Sequence, residues 1–197
     1  MQKILFNDKY GLTDTVLSGQ KTQTRRIVPK SAIVKYSIME DPTVIGCTRY
    51  KVGGVVAVAQ RYCDVAQGGF PVDSRYDAFR EYNWGEGKEG ALEGSKGWTN
   101  KMFVKADLMP HQIQITDVRV ERLQDISDED CIDEGIIERR RAPENLNCYL
   151  YPNMIIKNGI EYFSPREAYA ALIDKISGKG TWESNPYVFV YDFKLVR

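Results

Sequence analysis

The chain predicts an α+β domain in which strands predominate, and three observations carry that reading. Residues 53–62, GGVVAVAQRY, form an apolar run entered through a Gly-Gly turn, the pattern of a buried strand. The closing segment NPYVFVYDFKLV alternates Tyr187, Phe189, Tyr191 and Phe193 with Val188 and Val190, so it is apolar on both faces near its start and predicts a central strand. Helices announce themselves by their starts: Ser127 precedes DEDCIDEG, and Ser164 precedes Pro165 and Glu167. With 197 residues, 43% of them hydrophobic, the chain is long enough for one sizeable core. A single domain over residues 1–197 is expected, carrying insertions at about 63–100 and 138–163.

In chain order, QKILF at residues 2–6 suits a strand, and Asn7 or Asp8 is placed to cap a helix carrying Leu12, Val16 and Leu17 that ends at Gly19. KTQTRRIV then reads as a strand stopped by Pro29. Residues 63–100 are polar and aromatic, with Gly85, Gly87, Gly90, Gly94 and Gly97 between Trp84 and Trp98, and read as an inserted loop. Ile113 and Ile115, then Val118 and Val120, alternate in two phases, which predicts a bend near Thr116 and Asp117 of the kind a closed or strongly curved sheet uses. The acidic helix ends at Gly135. The helix after Pro165 shows Ala168, Tyr169, Leu172 and Ile176 on one face and stops at Gly178.

Composition excludes several classes. With 27 Lys plus Arg against 27 Asp plus Glu, the chain is no uniformly basic nucleic-acid coat or polybasic membrane binder, so a basic patch has to be local. No apolar run approaches the roughly 20 residues of a membrane helix, and MQKILFNDKYG lacks a signal-peptide pattern, so a soluble, cytoplasmic protein is expected. Cys47, Cys63, Cys131 and Cys148 are widely spaced and share the chain with one histidine, His111, which argues against disulfides and a structural zinc site. Nothing calls for a metal, flavin or nicotinamide cofactor.

Charge is distributed unevenly. From Thr15 to Met39 there are five basic residues, Lys21, Arg25, Arg26, Lys30 and Lys35, and no acidic one. From Asp117 to Glu134 eight carboxylates face only Arg119 and Arg122. Charge runs are mostly solvated faces; the sharper reading brings some of these carboxylates to Lys21.

Gly19, Lys21, Thr24 and Arg26 in GQKTQTRR fit the GxKxx(E/T)xR signature, and the ordered set around them resembles the ASCH domains of the PUA-like superfamily. That set comprises an N-terminal strand and helix, the motif, the strand after Val52, VRVERLQDISDEDCIDEGI, and a terminal strand after Trp182, Asn185 and Pro186. The long phage and prophage members look most similar. The resemblance implies a PUA-like β-barrel with flanking helices. Departures from the family pattern are Gly53-Gly54 in place of a Gly-Asp turn, Thr24 in place of Glu, and Gln60 where long members carry an acid.

Two functions follow from the resemblance. The first is binding of RNA or a modified nucleoside or nucleotide in a basic cleft lined by Lys21, Arg25 and Arg26. Tyr62, Trp84 and Trp98 would stack a base there, a contact worth roughly 1–3 kcal/mol. The alternative is an amidohydrolase deacylating 4-acetylcytidine-like nucleosides, for which the resemblance implies the catalytic set Lys21, Thr24 and Glu134. A desolvated lysine can activate a threonine hydroxyl, and a glutamate can protonate the departing amine. Lys21 could equally stay charged and stabilise an oxyanion. A third possibility is a phage accessory protein that binds another protein. Trp182 reads as packing, and His111 as a satisfied or exposed turn residue.

Overall fold

Strand pairing gathers the apolar runs into a five-stranded mixed sheet in the order β1-β3-β4-β7-β2. Its strands are β1 (Gln2–Ile4), β2 (Gln23–Ile27), β3 (Val55–Val58), β4 (Gln112–Arg122) and β7 (Tyr187–Leu195), and β5 (Ile137–Arg141) pairs with β6 (Leu146–Leu150) in a separate ribbon. The computed structural model describes residues 1–29, 31, 48–67, 74–141, 146–153 and 161–196; Lys30, Lys35 and Cys47 lie outside them. Its helices are α1 (Leu12–Leu17), α2 (Tyr62–Gln67), α3 (Asp77–Trp84), α4 (Asp128–Asp133), α5 (Pro165–Ser177) and α6 (Thr181–Ser184). No helix among the described residues is long and apolar enough to cross a membrane.

The α+β class holds, with two corrections. About 37% of the described residues are helical and 26% lie in strands, so helix outweighs the expected strand predominance. The sheet is also open. β1 pairs parallel with β3, β2 pairs antiparallel with β7, and no ladder joins β1 to β2 among the described residues, so the expected barrel does not close. Closure needs edge strands long enough to tilt and pair with each other, and β1 has three residues. β7 is interior, as its two apolar faces require, with Val188 to Tyr191 all buried. In β4 the burial alternation breaks at Thr116 and Asp117, both exposed, where the two phases of the sequence meet.

The chain forms two compact units. The first comprises Met1–Phe6, Gly53–Gln114 and Lys194–Arg197. The strand expected over residues 53–62 is confined here to β3, because Tyr62 already starts α2. The segment expected as a loop instead contributes α2 and α3 and a core in which Tyr62, Val65, Phe79 and Leu92 pack with Ala57, Val104 and Met109. Those apolar residues are too widely spaced to show a period, yet together they exclude water. Asn83, buried, pins the glycine-rich turn by accepting from the Leu92 N–H at 2.7 Å. Gly97 passes so close to Tyr62 that a Cβ there would lie 2.4 Å from the ring.

The second unit comprises Asn7–Val52 and Ile115–Phe193. Here α1 begins at Leu12, after a 3-10 turn at Asp8–Tyr10, later than the expected cap. Both predicted serine caps form: Ser127 Oγ accepts from the Asp130 N–H and Ser164 Oγ from the Glu167 N–H. α5 buries Ala168, Tyr169 and Leu172 as expected, but Ile173 completes the face and Ile176 is exposed. An i, i+4 step from Tyr169 reaches Ile173, and Ile176, four residues after Leu172, keeps to the same stripe but lies in the last turn of the helix, where it is exposed. The expected insertion at 138–163 carries the β5-β6 ribbon, extended by a bridge between Tyr149 and Tyr162.

Candidate functional site

The site lies wholly within the second unit, where β2 meets α4. Thr22 anchors the strand to the helix twice: its N–H donates to the Asp133 carbonyl at 2.9 Å and its hydroxyl to the Asp133 carboxylate at 3.0 Å. β2 then runs antiparallel to β7 with Gln23 opposite Asp192, Thr24 opposite Tyr191, Arg25 opposite Val190 and Arg26 opposite Phe189. Strand residues alternate faces, so this register divides the motif. Gln23 and Arg25 turn toward α4. Thr24 and Arg26 share the other face with Tyr191 and Phe189.

On the α4 face, residues 113 positions apart come together. Lys21 Nζ donates to Glu134 Oε2 at 2.5 Å and to the Glu134 carbonyl at 2.6 Å, with the two side chains 1% and 7% exposed. Burial disfavours the Lys21 ammonium strongly enough to outweigh the attraction of Glu134, and lowers its pKa from the ordinary 10.5. The Tyr169 hydroxyl donates to Glu134 Oε1 at 3.4 Å. Burial, then the adjacent Glu134 charge, holds the Tyr169 phenol well above its usual 10, so it remains a donor.

Arg25 is the hub of the surrounding network. Its guanidinium reaches Glu121 at 2.6 Å, Asp130 at 2.8 Å and Glu134 at 3.5 Å, and also donates to Gln23 Oε1. Although burial opposes its charge, Glu134 and the other carboxylates prevail and raise its pKa. Arg119 continues the network to Asp192 at 2.5 Å and Glu121 at 3.3 Å. Partial burial works to raise the Asp130 carboxyl, but the Gln23 amide and the guanidiniums of Arg25 and Arg119 outweigh it and hold the group below 3.8. Three cations therefore face five carboxylates, Glu121, Asp130, Glu134, Asp192 and, 3.6 Å from Arg119, Asp117.

α4 supplies this geometry because Asp130 and Glu134 stand four residues apart, on one helical face. Gly135 follows with φ +100, a conformation glycine adopts freely; a Cβ there would press on Thr15 Oγ1 at 3.3 Å and lie 3.6 Å from Lys21 Cβ.

Of the residues singled out from the sequence, Lys21, Arg25 and Glu134 meet directly. Thr24 is buried on the opposite face of β2, and among the described residues no hydrogen bond joins it to Lys21 or Glu134. Arg26 is exposed and lies near enough to Tyr50 and Tyr191 to act on them electrostatically. Tyr62, Trp84 and Trp98 belong to the first unit. Tyr62 is buried there with its hydroxyl accepting from the Lys105 N–H at 2.7 Å, Trp98 is half-buried against the same core, and exposed Trp84 packs edge-on to Phe79. Trp182 packs edge-on to Tyr169, and His111 Nδ1 lies 2.8 Å from Gln60 Oε1.

Sequence reasoning missed Gln23, Glu121, Asp130, Asp192 and Tyr169 as partners of the motif. The alternation of Gln23 with Arg25 and the four-residue step from Asp130 to Glu134 were local signals for two of these, Gln23 and Asp130. Tyr169 carried none, because its helical stripe reads as core. Comparison with protein-family models, curated proteins and solved structures returned no match.

Proposed function

We propose that the chain is an ASCH-type, cytoplasmic hydrolase that removes an acyl group from the exocyclic amine of a modified pyrimidine nucleoside, with Lys21 and Glu134 handling the protons. The observation that carries this reading is the Lys21–Glu134 contact at 2.5 Å, out of bulk water and joined by Tyr169. A lysine whose pKa is lowered by burial, paired with a carboxylate, is the arrangement general acid–base chemistry uses, and such catalysis contributes about 10²–10⁴ in rate. Glu134 keeps the larger exposed fraction of the pair and is the member that meets substrate. Because Thr24 turns away from Glu134, we assign the attack to water. Glu134 takes a proton from the water as its oxygen adds to the acyl carbon, the Lys21 ammonium behind it holds the carboxylate in position, and the proton passes to the amine as the C–N bond breaks. The products are the free nucleoside and a carboxylate.

A second reading, binding of RNA or a modified nucleotide, draws on Arg26, the exposed cation of the motif. Lys21 and Arg25 contribute little to it, since both are committed to carboxylates.

The test is release of cytidine from 4-acetylcytidine by wild type, Lys21→Met, Glu134→Gln and Thr24→Ala, with folding checked by circular dichroism. Turnover lost in the first two folded variants and kept in Thr24→Ala supports the assignment. Turnover lost only in Thr24→Ala would make the threonine the nucleophile. Absence of turnover in the wild type, together with nucleotide binding that disappears in Arg26→Ala, would replace the hydrolase by the binding reading.

A further inference from the structure

Arginines in this protein are, for the most part, consumed internally. Arg25, Arg61, Arg80 and Arg119 pair with carboxylates. Arg122 lies 3.8 Å over the Tyr187 ring, and Arg166 donates to the carbonyls of Gln124 and Ile126. The ribbon is the exception. β5 contains three arginines in succession, Arg139, Arg140 and Arg141, in the sequence IERRR. Arg139 and Arg140 are exposed, and among the described residues neither has an ion pair, a hydrogen-bonded side chain or a ring contact.

The ribbon's geometry gives these charges a direction. Ile137 pairs with Leu150 and Arg139 with Cys148 at the rooted end, where Leu150 and Cys148 are buried. Toward the other end Arg140 stands opposite Asn147 and Arg141 opposite Leu146, and both Asn147 and Leu146 are exposed. Cross-strand partners share a face, so successive arginines put positive charge on both faces of the ribbon. β6 is paired on its far side through Tyr149 and Tyr162, which leaves β5, the arginine strand, as the ribbon's open edge among the described residues. Edge strands are often blunted by a single charge against unwanted pairing. Three consecutive arginines exceed that need, and only Glu138 on the same strand opposes them.

We propose that the β5-β6 ribbon is a DNA-binding arm that lies in the major groove of a duplex, with Arg139 and Arg140 contacting backbone phosphates. A two-stranded ribbon fits the roughly 12 Å width of the B-form major groove, whereas the deep, narrow major groove of duplex RNA does not admit it. The arm uses no residue of the Lys21–Glu134 site and stands whether or not that site is hydrolytic.

The experiment is anisotropy titration of a labelled 20-base-pair DNA duplex of mixed sequence with wild type, Arg139→Gln/Arg140→Gln and, as a control for a paired arginine, Arg80→Gln. Each phosphate contact contributes about 0.9 to the slope of log affinity against log salt, so the double variant is expected to lose about 1.8 of that slope. Raising salt from 50 to 200 mM then weakens the double variant about tenfold less than wild type, and Arg80→Gln behaves as wild type. The proposal is overturned if the double variant matches wild type, if wild type does not bind the duplex at 50 mM salt, or if duplex RNA or phosphatidylserine vesicles are bound as tightly as DNA.

Discussion

Replacing Lys21 with methionine removes the charge at the centre of the second unit while preserving the length of the side chain. The substitution deletes two hydrogen bonds, to Glu134 Oε2 at 2.5 Å and to the Glu134 carbonyl at 2.6 Å, and leaves a nearly buried carboxylate. Breaking a buried ion pair from one side costs about 3–5 kcal/mol, because the remaining charge is neither solvated nor paired. Glu134 retains Arg25 at 3.5 Å and Tyr169 at 3.4 Å, both long contacts, so the lower end applies. About 3 kcal/mol corresponds to a fall of about 6–12 °C in Tm for a chain of this length. Glu134→Gln leaves the opposite orphan, an ammonium facing an amide. In the double variant neither charge of the pair remains, and Arg25 keeps Glu121 and Asp130, so its loss falls short of the sum by about 1–3 kcal/mol. Urea titration followed by circular dichroism measures all three. A Lys21→Met variant within about 1 kcal/mol of wild type, or strict additivity in the double variant, would refute the claim that the pair is held out of water.

Two further outcomes follow from neighbouring geometry. Gly97→Ala pushes a methyl into the Tyr62 ring, where the added Cβ would lie 2.4 Å away, and overpacking of this kind costs about 1–3 kcal/mol; a variant as stable as wild type in urea would show that the first unit's core yields there. Asp130 has its folded pKa held below 3.8, so its stabilising contribution is complete above 3.8 and disappears as pH falls through the folded value; stability measured between pH 5 and pH 2 is expected to drop less steeply in Asp130→Asn, and an identical slope would contradict the pairing with Gln23 and Arg25.

The proposed hydrolase and the proposed DNA arm make separable demands on the molecule. The first needs a proton couple held in low dielectric, and the fold supplies it by tying β2 to α4 through Thr22 and Asp133. The second needs exposed cations without an internal partner, and among the described residues Arg139 and Arg140 supply those. Net neutrality of the whole chain hides both, because its 27 charges of each sign include a densely paired network around Arg25 and the exposed Arg139 and Arg140 of β5.

What the sequence determined by itself is short in range. Ser127 and Ser164 cap their helices because each hydroxyl serves an N–H three residues on, and the alternation of Tyr187 to Phe193 made β7 a central strand because both its faces are apolar. The split phase around Thr116 and Asp117 was legible for the same reason, since strand period is a property of neighbours. The tertiary structure alone decided that Arg25 joins Lys21 at Glu134, that Thr24 turns away from Glu134, and that the sheet stays open. Each of these depends on pairing between segments far apart in the chain: Lys21 and Glu134 are 113 residues apart, and the face of every residue in β2 follows from its register against β7. The helical core around Tyr62, Phe79 and Leu92 was hidden likewise, because apolar residues at wide spacing announce a core only after the chain has brought them together. Local hydrogen bonds and periodicity act within a few residues and can be read along the chain, whereas burial and charge pairing are settled by the competition among distant segments for the same partners.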